Sequence, residues 1–399
     1  MSAITSPKGF LASGIASGLK KNGNLDLALV FSETPAQFAG IYTTNLVKGH
    51  SLQRTIDLEK KSSITRGVVI NAGNANACVG KKGYDDATEM AEGIAKHLNI
   101  KPDELLTCST GVIGYALPLD KIHAHEKRLV ETLSSSEKSG HDAMSAIMTT
   151  DLIPKESTRT FQMDGKNVTL SGMAKGSGMI HPNMATMISV ITTDANINAS
   201  LLKKLLKKAA DVSFHRTTVD GDTSVCDTLL VLANGCSDTK EITEGSSDYV
   251  LFENAFTEIC IDLAKLLAKD GEGATKLVDI QVTGAATKED AYKILLSVCR
   301  SPLCKTAFFG EDANLGRVIT AAGYSGAYFD PEKASIYLND LLTFENGCKL
   351  DFDEEKAGAI MAKPEFSLTI SLGDGDCCDH MWTCDFSYDY VKINGSYRS

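Results

Sequence analysis

Several things are scarce in this 399-residue chain, and each scarcity excludes something. No run approaches the ~18 consecutive apolar residues that a membrane-spanning helix needs. The first residues, MSAITSPKGFLASGIASGLKKNG, lack a basic start followed by an apolar block, so a secretory signal is not expected. Basic residues are in deficit, 40 against 51 acidic, for a formal charge of −11. Nucleic acid is therefore not expected as a partner, because phosphate binding needs a basic face. There is no internal repeat and no low-complexity tract. No G-x-G-x-x-G follows a strand in the right context, and P-loop, zincin and G-x-S-x-G patterns are missing, which disfavours nucleotide-binding and serine-elbow enzymes.

Cysteine is present, eleven times, but as an odd and scattered set rather than a dense framework. That distribution predicts free thiols in a reducing cytoplasm. Cys377, Cys378, His380 and Cys384 form the one cluster that could suggest a metal. Adjacent cysteines in extended chain point to opposite faces, so four ligands would not converge tetrahedrally there. Cys299 and Cys304 are read in the same way, as structural residues.

What is present, 43% hydrophobic and 23% charged residues, is the profile of a globular protein with more than one core. Short β-rich runs (LDLALVFSE, QFAGIYTT, RGVVINAGNANACVG, ELLTCSTGVIG, TSVCDTLLVLANG) alternate with helical periodicities. Among the latter are YDDATEMAEGIAKHLNI and the amphipathic LLKKLLKKAADVSF, whose lysines form a solvated face. Asp164-Gly165 between alternating runs predicts a type I′ hairpin. A long helix ends at Asp270-Gly271, and a second helical stretch breaks at Ser301-Pro302. The remainder, from GAYF through KASIYLND and FSLTISLGDGD to WTCDFSYDYVKING, reads as strand-rich. The pattern predicts a layered α/β (α+β) protein of mostly antiparallel hairpins. Its expected parts are an N-terminal α/β domain over 1–235, a helical connection over 236–280 and a smaller C-terminal α+β domain over 281–399.

One stretch, KGSGMIHPNMATMISVITTDANI, resists an ordinary reading. A glycine-rich loop with a single lysine, Lys175, runs into Thr186 and then an apolar β-branched strand. Taken alone, Thr186 is a strand residue, as β-branched residues usually are. A threonine hydroxyl becomes a useful nucleophile only with a base beside it, and its own α-amine serves if the chain is cut just before it. The Ala185-Thr186 bond suits such a cut. Upstream glycines let the peptide bend into an attack geometry, and the strand behind would hold the new terminus.

That stretch, with VVINAGNANACVG, TCSTGVIG, IMTTD, DGEGATK, FGEDANLGRV and the closing TCDFSYDYVKINGSYRS, resembles the ornithine acetyltransferase (glutamate N-acetyltransferase) family over nearly the whole chain, block by block. The resemblance implies a self-cleaving aminopeptidase-type α/β sandwich and autoproteolysis at Ala185-Thr186, giving an α chain (1–185) and a β chain from Thr186. It implies Thr186 as acetyl-accepting nucleophile and Thr110 with Gly111 as the oxyanion hole. Thr150, Lys175, Thr186, Glu272, Asn394 and Ser399 would bind substrate. From charge alone, Lys175 suits the substrate carboxylate and Glu272 its side-chain ammonium. His181 is not needed as a base, and Asp312 and Asn314 have no role that the sequence assigns.

The implied reaction is ping-pong transfer of acetyl from N2-acetylornithine to glutamate in cyclic arginine biosynthesis, without metal or organic cofactor. Some members also use acetyl-coenzyme A, and both kinds stay open here. The implied assembly is a heterotetramer of two α and two β chains. Two alternatives are a self-cleaving aminopeptidase or amidohydrolase, in which water resolves the acyl-enzyme, and a catalytically silent binding protein on the same scaffold.

Overall fold

A computed structural model describes residues 3–181 and 187–396. The chain divides into two compact units, Met1–His215 with Asp222–Leu263, and Arg216–Gly221 with Ala264–Ser399. The helix Ser247–Lys269 runs across that division.

The first unit is built on strands β1 (Phe10–Ile15), β2 (Leu27–Tyr42), β3 (Ile64–Asn74), β4 (Leu105–Val112), β5 (Lys155–Met163), β6 (Lys166–Lys175), β7 (Ile188–Thr193) and β8 (Thr228–Ala233). They form one sheet in the order β4-β3-β2-β8-β7-β6-β5, with β1 beside β2. The two early runs predicted as separate strands are a single 16-residue strand. Its register with β3 breaks between Phe31 and Ala36, around Pro35; the first half pairs with β1 and β3, and the second with β8 while still meeting β3 at Ala36 and Gln37. A strand can absorb a proline at such a break, where ladder hydrogen bonding is interrupted.

The sheet does not lie flat. In a flat sheet β4 and β6 would lie five strand spacings apart, ~24 Å. Instead, Lys175 Nζ at the end of β6 reaches Thr110 Oγ1 on β4 at 3.3 Å. One apolar core draws on both halves, with Val68, Ile70 and Leu106 from one, Ile188, Val190 and Leu230 from the other, and Ala143 and Met144 from the helix Glu137–Ile147. The outer face of β2 and β3 is covered by the helix Lys82–Leu98 through Met90, Ala91 and Ile94. The result is a layered α/β sandwich. Asp164 (φ 49°) and Gly165 (φ 73°) make the two-residue hairpin between β5 and β6, as the sequence predicts.

The second unit holds β9 (Leu277–Ala285), β10 (Ser335–Leu338), β11 (Leu341–Glu345), β12 (Cys348–Lys349), β13 (Glu365–Ser371) and β14 (Cys377–Cys384), in the order β12-β11-β10-β13-β9-β14. One face packs Val278, Ile280, Leu368 and Ile370 against the helices Lys288–Arg300 and Gly316–Gly323 through Ile294, Val298, Val318 and Ala322. The helical break at Ser301-Pro302 is present: Ser301 Oγ caps the helix Pro302–Phe309, accepting from Cys304 N.

Several expectations do not hold. GAYF (326–329) lies in no strand. The final YDYVKING forms the helix Tyr388–Gly395, started by Ser387 accepting from Asp389 N. The stretch reads as strand-rich, but Tyr388 and Val391 are exposed and impose no two-residue burial period. Pairing is mostly antiparallel, as predicted, with β3–β4, β7–β8 and β9–β13 the parallel pairs.

Candidate active site

Thr110 and Gly111 occupy the last turn of β4's ladder with β3. Thr110 is buried. Lys175, also buried, donates to its Oγ1. An ammonium can only donate, so the threonine oxygen accepts there and its own O–H is left to donate elsewhere. A hydroxyl kept as a donor is the kind of group that a developing oxyanion requires. Gly111 has φ 131°, and a Cβ there would overlap the carbonyl carbon of Gly73 and lie 2.6 Å from Asn74 N. Both conformation and space demand glycine at this position.

Around Lys175 the fold places charges the sequence reading did not single out. The side chains of Asp151 and Lys155 are wholly buried and paired at 2.7 Å. Asp151 also accepts from Gly176 N at 2.6 Å and Thr149 N at 2.9 Å. Burial by itself would raise its pKa, but Lys175 and Lys155 outweigh that and hold the carboxyl well below the usual carboxylate range. Lys20 lies in the same electrostatic neighbourhood. Its Nζ donates to Leu25 O at 2.5 Å and Ala146 O at 3.2 Å. Burial lowers its pKa to about 8, with Lys175 adding to the depression and Asp26 and Asp151 opposing it.

Thr150, half-buried, sits between Thr149 and Asp151, so the acceptor that anchors Lys175's neighbour also fixes the loop carrying Thr150. Asp227, fully buried before β8, accepts from Met187 N at 3.2 Å. Burial pushes its carboxyl far up, against the opposing pull of that N–H and of Lys175. A carboxyl that burial makes harder to ionise therefore sits against the backbone N–H of Met187, the residue that follows Thr186. Asp151 was in view within IMTTD, and nothing in local pattern distinguishes a buried carboxylate from a surface one. Lys20 and Asp227 carry no motif at all.

In the second unit Glu272 is buried and accepts from Asn394 Nδ2 at 2.7 Å. Asn394, on the exposed terminal helix, also donates to Tyr390 O at 3.1 Å. Ser387 Oγ donates to Gly273 O at 2.5 Å, tying the start of that helix to the loop carrying Glu272. The carboxylate and amide thus form one polar pair within this unit. Ala185, Thr186 and Ser399 lie outside the described residues, and His181 is the last residue before the gap. Asp312 N donates to Ala307 O at 3.0 Å, a helix-end contact. Cys378 is exposed, Cys377 half-buried and Cys384 buried. Among the described residues no group of His, Cys, Asp and Glu is arranged to hold a metal ion.

Residues 11–399 match the ArgJ family. The chain is 47% identical over 398 residues to the arginine biosynthesis bifunctional protein ArgJ of Symbiobacterium thermophilum, covering 99% of this chain and 98% of that one. It is 43% identical over 396 residues to the protein of that name from Bacillus subtilis, with 99% and 96% covered. A crystal structure of the arginine biosynthesis bifunctional protein ArgJ from Bacillus halodurans superposes with a TM-score of 0.50 at 39% identity, covering 52% of this chain and 97% of that chain. With sequence match along nearly its whole length, the chain belongs to the ArgJ family.

Proposed function

We infer that this chain is a glutamate N-acetyltransferase of cyclic arginine biosynthesis, moving acetyl from N2-acetylornithine to glutamate. The observation that carries this is the end-to-end identity with bifunctional ArgJ relatives, 47% with nearly all of both chains covered. In the reaction we propose, Thr186 Oγ attacks the acetyl carbonyl and its proton passes to the residue's own α-amine. Thr110 O–H and Gly111 N–H receive the oxyanion. Collapse expels the ornithine amine, which takes the proton, and leaves acetyl on Thr186. The glutamate amine then attacks that ester and passes its proton to the α-amine, the same donors hold the second oxyanion, and its collapse breaks the ester bond, returns the proton to Thr186 Oγ and releases N-acetylglutamate. Lys175 takes the substrate carboxylate, while Glu272 with Asn394 takes the ornithine ammonium, and Thr150 and Ser399 complete the contacts.

The amine exists only after the Ala185-Thr186 bond is cut. Support for a cut comes from the Bacillus halodurans relative, whose chain is matched almost entirely yet spans about half of this one, as one of two pieces would. Acetyl-coenzyme A as a second donor, an assembly of two α and two β chains, and a cytoplasmic location complete the proposal. All eleven cysteines are free thiols, which fits a reducing compartment. Among the described residues no helix is long and apolar enough to cross a membrane.

Intact mass of freshly purified protein tests the reading. Wild type should give two fragments, 1–185 and 186–399, and Thr186→Ala one uncut chain. Acetylornithine turnover should require glutamate; release of ornithine at the same rate without glutamate would mark a hydrolase instead. Full-rate transfer by an uncut chain would refute the mechanism.

A further inference from the structure

The end of β3 carries more buried polar contact than a strand end requires. Asn74, 7% exposed, uses its whole amide. Its Oδ1 accepts from Asn76 N at 2.7 Å, and its Nδ2 donates to Tyr115 O at 3.1 Å and Ala116 O at 3.0 Å. Ala75 N donates to Val112 O and Gly114 N to Ala77 O, each at 3.0 Å. The loop after β3 and the loop after β4 are therefore laced together just beyond Gly111.

Beneath them runs a second buried layer. Asn71 Nδ2 donates to Asn74 O at 2.9 Å, Ser109 Oγ donates to Asn71 Oδ1 at 2.5 Å, and Asn76 Nδ2 donates to Ser51 Oγ at 3.1 Å. The ladder register breaks here too, because Asn74 faces both Thr110 and Val112. Such bulges re-aim groups beside active sites. Asn76 (φ 47°) and Cys78 (φ 61°) hold left-handed backbone without being glycine, so the loop is held by its contacts. Gly111 itself has no side chain with which to fix the direction of its N–H. That direction has to be imposed by what surrounds it.

We propose that Asn74 is a positioning residue for acetyl transfer: by clamping the loop after β3 to the loop after β4, it fixes the direction in which Thr110 and Gly111 donate. This rests on the assignment of Thr110 and Gly111 as the oxyanion donors. With its amide spent on Asn76 N, Tyr115 O and Ala116 O, Asn74 acts through Thr110 and Gly111, in the transfer step and not in chain cutting.

The test compares Asn74→Ala, Asn74→Asp and Thr110→Ala in the acetylornithine-to-glutamate assay. Rates are expressed per cut chain, counted by intact mass, alongside melting temperature. Asn74→Asp is nearly isosteric and keeps the acceptor for Asn76 N while losing both donors, so it reads the clamp even if Asn74→Ala folds poorly. Both Asn74 variants should lose kcat by roughly 10- to 100-fold with KM little changed, as small misplacements of catalytic groups do. Thr110→Ala should lose ~100- to 1,000-fold. If Thr110→Ala keeps its kcat, the oxyanion assignment itself fails. If Thr110→Ala loses activity while both Asn74 variants keep theirs per cut chain, the clamp is structural only and the proposal is overturned. Failure of both Asn74 variants to cut would overturn it as well.

Discussion

Replacing Asp151 by asparagine separates what this buried carboxylate does for the fold from what it does for the site. The substitution keeps the shape and removes one charge from a cluster that holds Lys155 at 2.7 Å and has Lys175 and Lys20 within electrostatic reach. At that distance two unit charges attract by ~6 kcal/mol for an effective dielectric of ~20. Desolvation of both ions offsets much of this, but removing one charge of a buried pair costs ~3–5 kcal/mol. For a unit of this size each kcal/mol moves the melting temperature by ~2–4 °C. Asp151→Asn should therefore melt roughly 6 to 20 °C below wild type by circular dichroism. Adding Lys155→Met should recover part of the loss, since the buried ammonium that lost its carboxylate goes with it. Activity should fall in the single variant because Gly176 N, next to Lys175, loses its charged acceptor at 2.6 Å. The acid limb carries a further signature. The folded carboxyl titrates below its ordinary 3.8, so the unfolded chain binds the extra proton in acid. The stabilisation is complete above about pH 4 and drains away as pH falls towards the lower folded value. The asparagine variant should lose that slope. A melting temperature within ~2 °C of wild type, with an unchanged acid limb, would refute the reasoning.

Gly111→Ala should abolish transfer while costing more than ~1 kcal/mol of stability, because the methyl meets Gly73 and Asn74 N and the φ of 131° disfavours any side chain; chemical denaturation with the transfer assay checks both. Glu272→Gln should raise KM for acetylornithine by ~10-fold or more and leave the glutamate half-reaction less affected, as steady-state kinetics with each substrate varied would show. Lys20 titrates at about 8 in the fold against 10.5 in the unfolded chain, so between those values the unfolded chain holds more protons and stability should rise with pH; Lys20→Met should flatten that limb of a denaturation series. Mild alkylation of the native protein should label Cys78, Cys348 and Cys378 first, while Cys108, whose thiol burial pushes up to about 12, should resist until unfolding; peptide mapping by mass reads this.

Local chemistry was enough for a good part of this protein. The two-residue hairpin at Asp164-Gly165, the helix break at Ser301-Pro302 and the strands ending in Asn/Gly-rich loops follow from backbone preferences acting over a few residues, and they are legible in the linear chain. So are the motif blocks that point to acetyl transfer, Thr110-Gly111 and Lys175 among them. The helix Tyr388–Gly395 was not, because its aromatic spacing mimics a strand and only its cap and exposure decide otherwise. The packing of the sheet decided what adjacent sequence could not, bringing Lys175 to Thr110 across sixty-odd residues and a sheet's width. It also decided that the Asp151 carboxyl is held low by the lysines packed near it and that the Asp227 carboxyl is pushed up, since burial and the charges that packing brings close set protonation. Residue order fixes which groups exist; only long-range packing settles their distances and the dielectric they feel, and those two quantities govern their chemistry.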